Sequence, residues 1–149
     1  MSAFVIREMK LEDVPGVLAV EEATFEGPWD ADIFYKELCE NDHAYYFVAC
    51  VDDRIIGYIG TWIVFGDGQI TNFAVHPDMR GQKIGEKLFG YVMTFMASRG
   101  VERLSLEVRV SNTAAQSLYK KFGLVAGGIR KHYYTDNFED AIVMWVNVK

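Results

Sequence analysis

Residues 69–75 form an apolar run of strand character that leads through Val75-His76-Pro77-Asp78-Met79-Arg80-Gly81-Gln82-Lys83-Ile84-Gly85 into an amphipathic stretch, 84–98. In that stretch Ile84, Leu88, Phe89, Val92, Phe95 and Met96 recur every three or four residues, one face of a helix. A strand that feeds a helix through a short turn commits the chain to layers, because the helix must lay its apolar stripe on a sheet. The turn also creates an anion site. Backbone N–H groups at a helix N-terminus have no partner, and the helix dipole favours negative charge there. Arg80 and Lys83 add positive charge, so a phosphate, and best a pyrophosphate, is the natural ligand. The same residues also suit a plain strand-to-helix connection, since neither a P-loop nor a GxGxxG fingerprint is present.

The remaining elements follow from periodicity and turn chemistry. Residues 4–9 alternate as a strand. Residues 11–25 read as a helix carrying Leu11, Val14, Leu18 and Val20, with Pro15 tolerable in its first turn. Asp30 is a candidate N-cap for a helix over 30–39. Strands at 44–51, 55–64 and 69–75, separated by Asp52-Asp53 and Gly66-Asp67-Gly68, make an antiparallel meander. After the helix, which Gly100 stops, 104–110 alternates with Leu104, Leu106 and Val108 on one face and Ser105, Glu107 and Arg109 on the other. Thr113 and Gln116 form a possible capping box for a helix bearing Ala115, Leu118, Tyr119 and Phe122, ended by Gly123. Strands over 124–134 and 141–148 complete an α/β (α+β) fold: a mixed, mostly antiparallel sheet of about six to seven strands with helices on both faces.

The 149 residues suit one domain spanning 1–149. Fifteen basic against 21 acidic residues give a net charge of −6. This balance argues against a nucleic-acid coat and suits either a cationic substrate, such as an amine or basic peptide, or solubility alone. Cys39 and Cys50 form no CxxC pair, and His43, His76 and His132 are widely separated, so no metal is expected. No apolar run approaches the ~20 residues of a membrane span. A cytoplasmic protein with no membrane or nucleic-acid partner, monomeric or weakly dimeric, is the expectation.

Leu106-Glu107-Val108-Arg109-Val110-Ser111-Asn112, the helix that follows, Asn72-Phe73-Ala74-Val75-His76-Pro77 and the anion loop together resemble the GNAT superfamily of acetyl-CoA-dependent N-acetyltransferases. Leu118-Tyr119, Gly123, Arg130, Tyr133-Tyr134 and Glu139-Asp140-Ala141-Ile142-Val143-Met144 narrow the resemblance to its RimI type. That type acetylates the N-terminal alanine of the eighteenth protein of the small ribosomal subunit. The resemblance implies two strands splayed into a slot for acetyl-CoA. Phe73, Ala74 and Val75 would then offer backbone groups to the acetyl and pantetheine amides. Arg80, Gly81, Gln82, Lys83, Ile84, Gly85 and Glu86 would hold the pyrophosphate, and Asn112 would contact the cofactor, unless it only caps the following helix. Lys83 departs from the usual glycine, and fits if its φ is negative.

On the same resemblance Glu107 is the candidate general base, set against a surface glutamate paired with Arg109. Tyr119 is the candidate general acid for the departing thiolate, set against core packing. A phenol of pKa ~10 can deliver that proton. No cysteine nucleophile is needed, so direct transfer in a ternary complex is expected. An α-amino group has a pKa of ~8 and lysine ~10.4, so an N-terminal amine costs roughly 3 kcal/mol less to deprotonate. The peptide, a ribosomal protein N-terminus, would pass between a loop holding Glu26 and Trp29 and a hairpin holding Tyr133 and Tyr134, with Asp136 and Glu139 near its basic tail. Phe138 stands where that hairpin often has glycine. A GNAT enzyme for a small amine (a polyamine or amino sugar) and a catalytically silent acyl-CoA-binding module remain the alternatives.

Overall fold

Strand pairing is settled by short turns on one side of the sheet and by long crossovers on the other. The computed structural model describes residues 4–25 and 28–148. β2 (Ala44–Val51), β3 (Arg54–Val64) and β4 (Asp67–Val75) form the expected antiparallel meander. Its turns place Asp52 and Phe65 at φ 52° and 56°, the left-handed geometry that matches strand twist in tight hairpins. The second turn therefore falls at Phe65-Gly66, and β4 begins earlier than position 69. β1 (Val5–Glu8) pairs with β2 at one edge. β5 (Arg103–Arg109) lies parallel to β4, and β7 (Ala141–Asn147) sits between β5 and the edge strand β6 (Val125–Arg130). The seven strands run in the order β1-β2-β3-β4-β5-β7-β6.

Alternation along β2 sends Tyr46, Val48 and Cys50 to one face and Phe47 and Ala49 to the other. The first face is covered by α1 (Val14–Thr24) and α2 (Ala31–Glu40), which bury Val14, Val17, Val20 and Phe34. The second is covered by α3 (Ile84–Ser98) and α4 (Thr113–Lys121), which bury Ile84, Leu88, Phe89, Val92, Met96 and Tyr119. Helices on both faces of a mostly antiparallel sheet are as the sequence indicates.

Several local expectations are corrected. The segment 11–25 opens as a 3-10 turn, Leu11–Asp13, which leaves Leu11 exposed, and the inward stripe of α1 is Val14, Val17, Val20 and Glu21. Asp30 does cap α2, accepting from the Ile33 N–H at 3.1 Å. The cap of α4, however, is Asn112, whose Oδ1 accepts from the Ala115 N–H at 3.1 Å. Gln116 instead donates to the Arg109 and Val110 carbonyls, 3.0 Å each, tying α4 to the end of β5. β6 stops at Arg130, short of 134, because His132 turns to φ 52° and its N–H donates to Asp140 Oδ1 at 2.9 Å. Gly60 on β3 is required by packing: a Cβ there would meet the Tyr46 ring at 2.4 Å. Opposite it, β4 carries one extra residue, Thr71, between the pairs Gly60–Asn72 and Thr61–Ile70. Such bulges bend a strand and re-aim its side chains.

Candidate active site

The parallel ladder between β4 and β5 lasts three pairs, Asp67–Arg103, Gly68–Leu104 and Gln69–Ser105. Beyond the Thr71 bulge the two strands part, and a cavity of about 360 Å³ lies in the fork. Its lining includes Asn72 and Phe73 from β4, Glu107 and Arg109 from β5, Asn112 and Tyr119 from α4 and its cap, Trp29 from the α1–α2 connection, and Tyr134 and Asp136 from the β6–β7 connection. Seven candidate site residues named from the sequence (Trp29, Phe73, Glu107, Asn112, Tyr119, Tyr134 and Asp136) therefore meet around one space. The Phe73 N–H donates to the Asn72 side chain at 3.1 Å.

The Glu107 side chain is only 11% exposed and lies between two donors. Gln69 Nε2 reaches its Oε1 at 3.3 Å and Arg130 Nε its Oε2 at 3.1 Å. The pairing with Arg109 suggested by their shared face is absent. Arg109 turns to Asp136 (2.9 Å), Glu139 (3.4 Å) and Asn137 (3.2 Å), and its guanidinium lies 4.0 Å from the Tyr134 ring centroid. Asp136 and Glu139, expected near a basic peptide tail, are thus already engaged from within. Glu139 also accepts from the Ser111 N–H at 2.7 Å.

Tyr119 is buried, its ring 5.3 Å from that of Phe89 and 6.5 Å from that of Phe73, centroid to centroid. Burial, with Tyr134 as a lesser influence, pushes its phenol above the ordinary range, so the proton stays on oxygen at neutral pH. Tyr133 packs edge-on against Tyr134 at 5.1 Å and is half-exposed, so it stands at the rim and not in the cavity. Glu26 lies outside the described residues.

Ala74 and Val75 continue β4 to a 3-10 turn, Pro77–Met79, and then to Arg80, Gly81, Gln82 and Lys83. Gly81 takes φ 82°, open to a glycine without strain. Lys83 does not take the negative φ expected for it: it sits at φ 62°, ψ 21°, as the residue before α3. Its side chain does not cap the helix, so the first-turn amides of Ile84, Gly85 and Glu86 are left for an outside acceptor. The Ile84 side chain is core, which leaves its main chain for that role. An uncapped helix N-terminus beyond a forked strand pair fits the phosphates and the thioester arm of acetyl-CoA respectively.

Residues 14–124 match the acetyltransferase (GNAT) family model. The chain belongs to the GNAT family. It is an acetyl-CoA-dependent N-acetyltransferase, and its forked seven-stranded sheet is the GNAT arrangement. The chain is 52% identical over 143 residues to a Bacillus subtilis protein provisionally named [ribosomal protein bS18]-alanine N-acetyltransferase, covering 96% of this chain and 95% of that one. It is 31% identical over 141 residues to the Escherichia coli K12 protein of that activity by name, covering 93% and 94%. The crystal structure of the Escherichia coli ribosomal-protein-S18-alanine N-acetyltransferase superposes with a TM-score of 0.91 at 30% identity, over 99% of this GNAT chain and 95% of that one.

One residue of the cavity wall escapes sequence reasoning. Glu21, 2% exposed, points from α1 toward the fork. Its Oε2 accepts from the Trp29 main-chain N–H at 2.9 Å, and its Oε1 accepts from the Tyr58 hydroxyl and from Asn72 Nδ2, the latter at 3.4 Å. Burial, then the Glu21 charge beside it, pushes the Tyr58 phenol above the ordinary range, so it remains a donor. The available signal was positional: a glutamate four residues after Val17 on an apolar stripe. Among the described residues no cluster of three or more metal-ligating side chains occurs, and no helix is long and apolar enough to cross a membrane.

Proposed function

We propose that this enzyme transfers acetyl from acetyl-CoA to the α-amino group of an N-terminal alanine on a small-subunit ribosomal protein, acting in the cytoplasm as a single catalytic domain. The observation that carries the mechanism is the meeting of Glu107 and Tyr119 at one cavity in the β4–β5 fork. The amide groups of Arg80 to Glu86 bind the pyrophosphate, and Phe73, Ala74 and Val75 align the pantetheine arm and acetyl group along β4. Asn112 and Tyr119 close the cofactor side, while Trp29, Tyr133 and Tyr134 flank the incoming peptide.

In the ternary complex the amine nitrogen attacks the thioester carbonyl carbon. A C–N bond forms, and the C–S bond breaks as the tetrahedral adduct collapses. Glu107 takes the proton that the ammonium must lose, directly or through one water. Tyr119 gives its proton to the sulfur of the leaving thiolate, and the phenol is restored from solvent. A carboxylate copes better with an amine of pKa ~8 than with a lysine of ~10.4, which favours the N-terminus. The names of the Bacillus and Escherichia relatives support the same substrate.

Mass spectrometry of a reaction with acetyl-CoA and a peptide beginning Ala-Arg tests the assignment. A single acetyl group on the α-nitrogen is expected. Turnover of polyamines or amino sugars with an untouched peptide would overturn it, and acetyl-CoA binding with no amine-dependent CoA release would point to a binding module instead.

A further inference from the structure

The wall of the cavity that faces an incoming amine is held by a charge the acetyl-transfer chemistry does not use. Glu21 is almost wholly enclosed, and both of its oxygens are occupied by neutral donors: Trp29 N–H on one, Tyr58 hydroxyl and Asn72 amide on the other. A buried carboxylate without a cationic partner costs stability, so a group of this kind is retained for what it holds in place. What it holds is specific. Trp29 lines the cavity from the α1–α2 connection, Asn72 lines it from β4, and Tyr58 anchors the pair to β3. The carboxylate is too enclosed, and too fully bonded, to meet a substrate ammonium itself.

We propose that Glu21 is a positioning residue for the peptide: it clamps Trp29, through its main-chain amide, at the position that admits an N-terminal amine. The inference rests on the N-terminal acetyltransferase reading above. Glu21→Gln keeps the shape and removes the charge, which weakens three charge-assisted hydrogen bonds at once. The clamp predicts a peptide KM raised by roughly tenfold or more, with the acetyl-CoA KM and kcat within about twofold of wild type and a cooperative thermal transition. A merely structural glutamate would instead lower the melting temperature and leave the peptide KM where it was. An unchanged peptide KM, or an equal rise in both KM values, overturns the clamp. Should E21Q fail to fold, Tyr58→Phe carries the test, because it leaves the carboxylate in place but removes the hydroxyl that fixes its orientation toward Trp29. A smaller rise confined to the peptide KM is expected there, and none overturns the inference. Wild-type turnover of the peptide with an unaltered E21Q removes the clamp alone, whereas a wild-type enzyme that acetylates only small amines removes the peptide reading and the clamp together.

Discussion

In the proposed mechanism Glu107 and Tyr119 divide the proton traffic of one transfer, and each can be removed without reshaping the cavity. Glu107→Gln keeps hydrogen-bonding groups for Gln69 and Arg130, and Tyr119→Phe keeps the ring against Phe89 and Phe73. Each substitution is expected to lower turnover by roughly 10²–10⁴-fold while acetyl-CoA still binds, measured by steady-state kinetics beside calorimetric titration. Unchanged rates in either variant would mean that its role lies elsewhere. These two side chains are legible in the sequence because recognisable neighbours surround them. Glu21 is not, since its partners Tyr58 and Asn72 stand 37 and 51 residues away and only the fold brings them together. The Glu107–Arg130 pair is hidden for the same reason: alternation along β5 pointed to Arg109, which two acids of the β6–β7 connection claim first.

Among the elements, the turn into α3 carries backbone strain at Lys83. A lysine at φ 62° adopts a backbone that glycine reaches freely, at a cost of about 1 kcal/mol. Lys83→Gly should therefore raise the melting temperature by about 3 °C, less whatever the added freedom of the unfolded glycine takes back. A lowered melting temperature would show that the lysine side chain stabilises the turn by other contacts. The sequence could not reveal this conformation, because lysine has no bias towards it. A second element-scale test concerns β1 and the turn before α1. Arg7 grips Asp13 with two hydrogen bonds, 2.7 and 2.8 Å, and this contact holds the Asp13 carboxyl below its ordinary 3.8. A depressed carboxylate stabilises the fold above the unfolded-state value and loses that contribution as pH falls through the folded one. The stability gap between wild type and Arg7→Ala, read from urea unfolding, should thus be flat above about pH 5 and shrink below about pH 4. A gap that widens in acid would contradict the pairing.

For the whole molecule, the meander and the two helical layers were readable from turn chemistry and periodicity, because both are local. The fork was not. Nothing in the alternation of 104–110 says that β5 will pair with β4 for three residues and then part from it, or that Thr71 will bulge out of β4 at that point. Those two departures open the cavity, and the uncapped start of α3 is the anion site we propose beyond it. A crystal structure with acetyl-CoA and an Ala-Arg peptide tests this most directly. The account predicts the thioester lying along Phe73, Ala74 and Val75, the Tyr119 hydroxyl at the sulfur, and the peptide nitrogen within hydrogen-bond reach of Glu107 or one water away. Coenzyme density outside the fork, or a peptide nitrogen remote from Glu107, would contradict it.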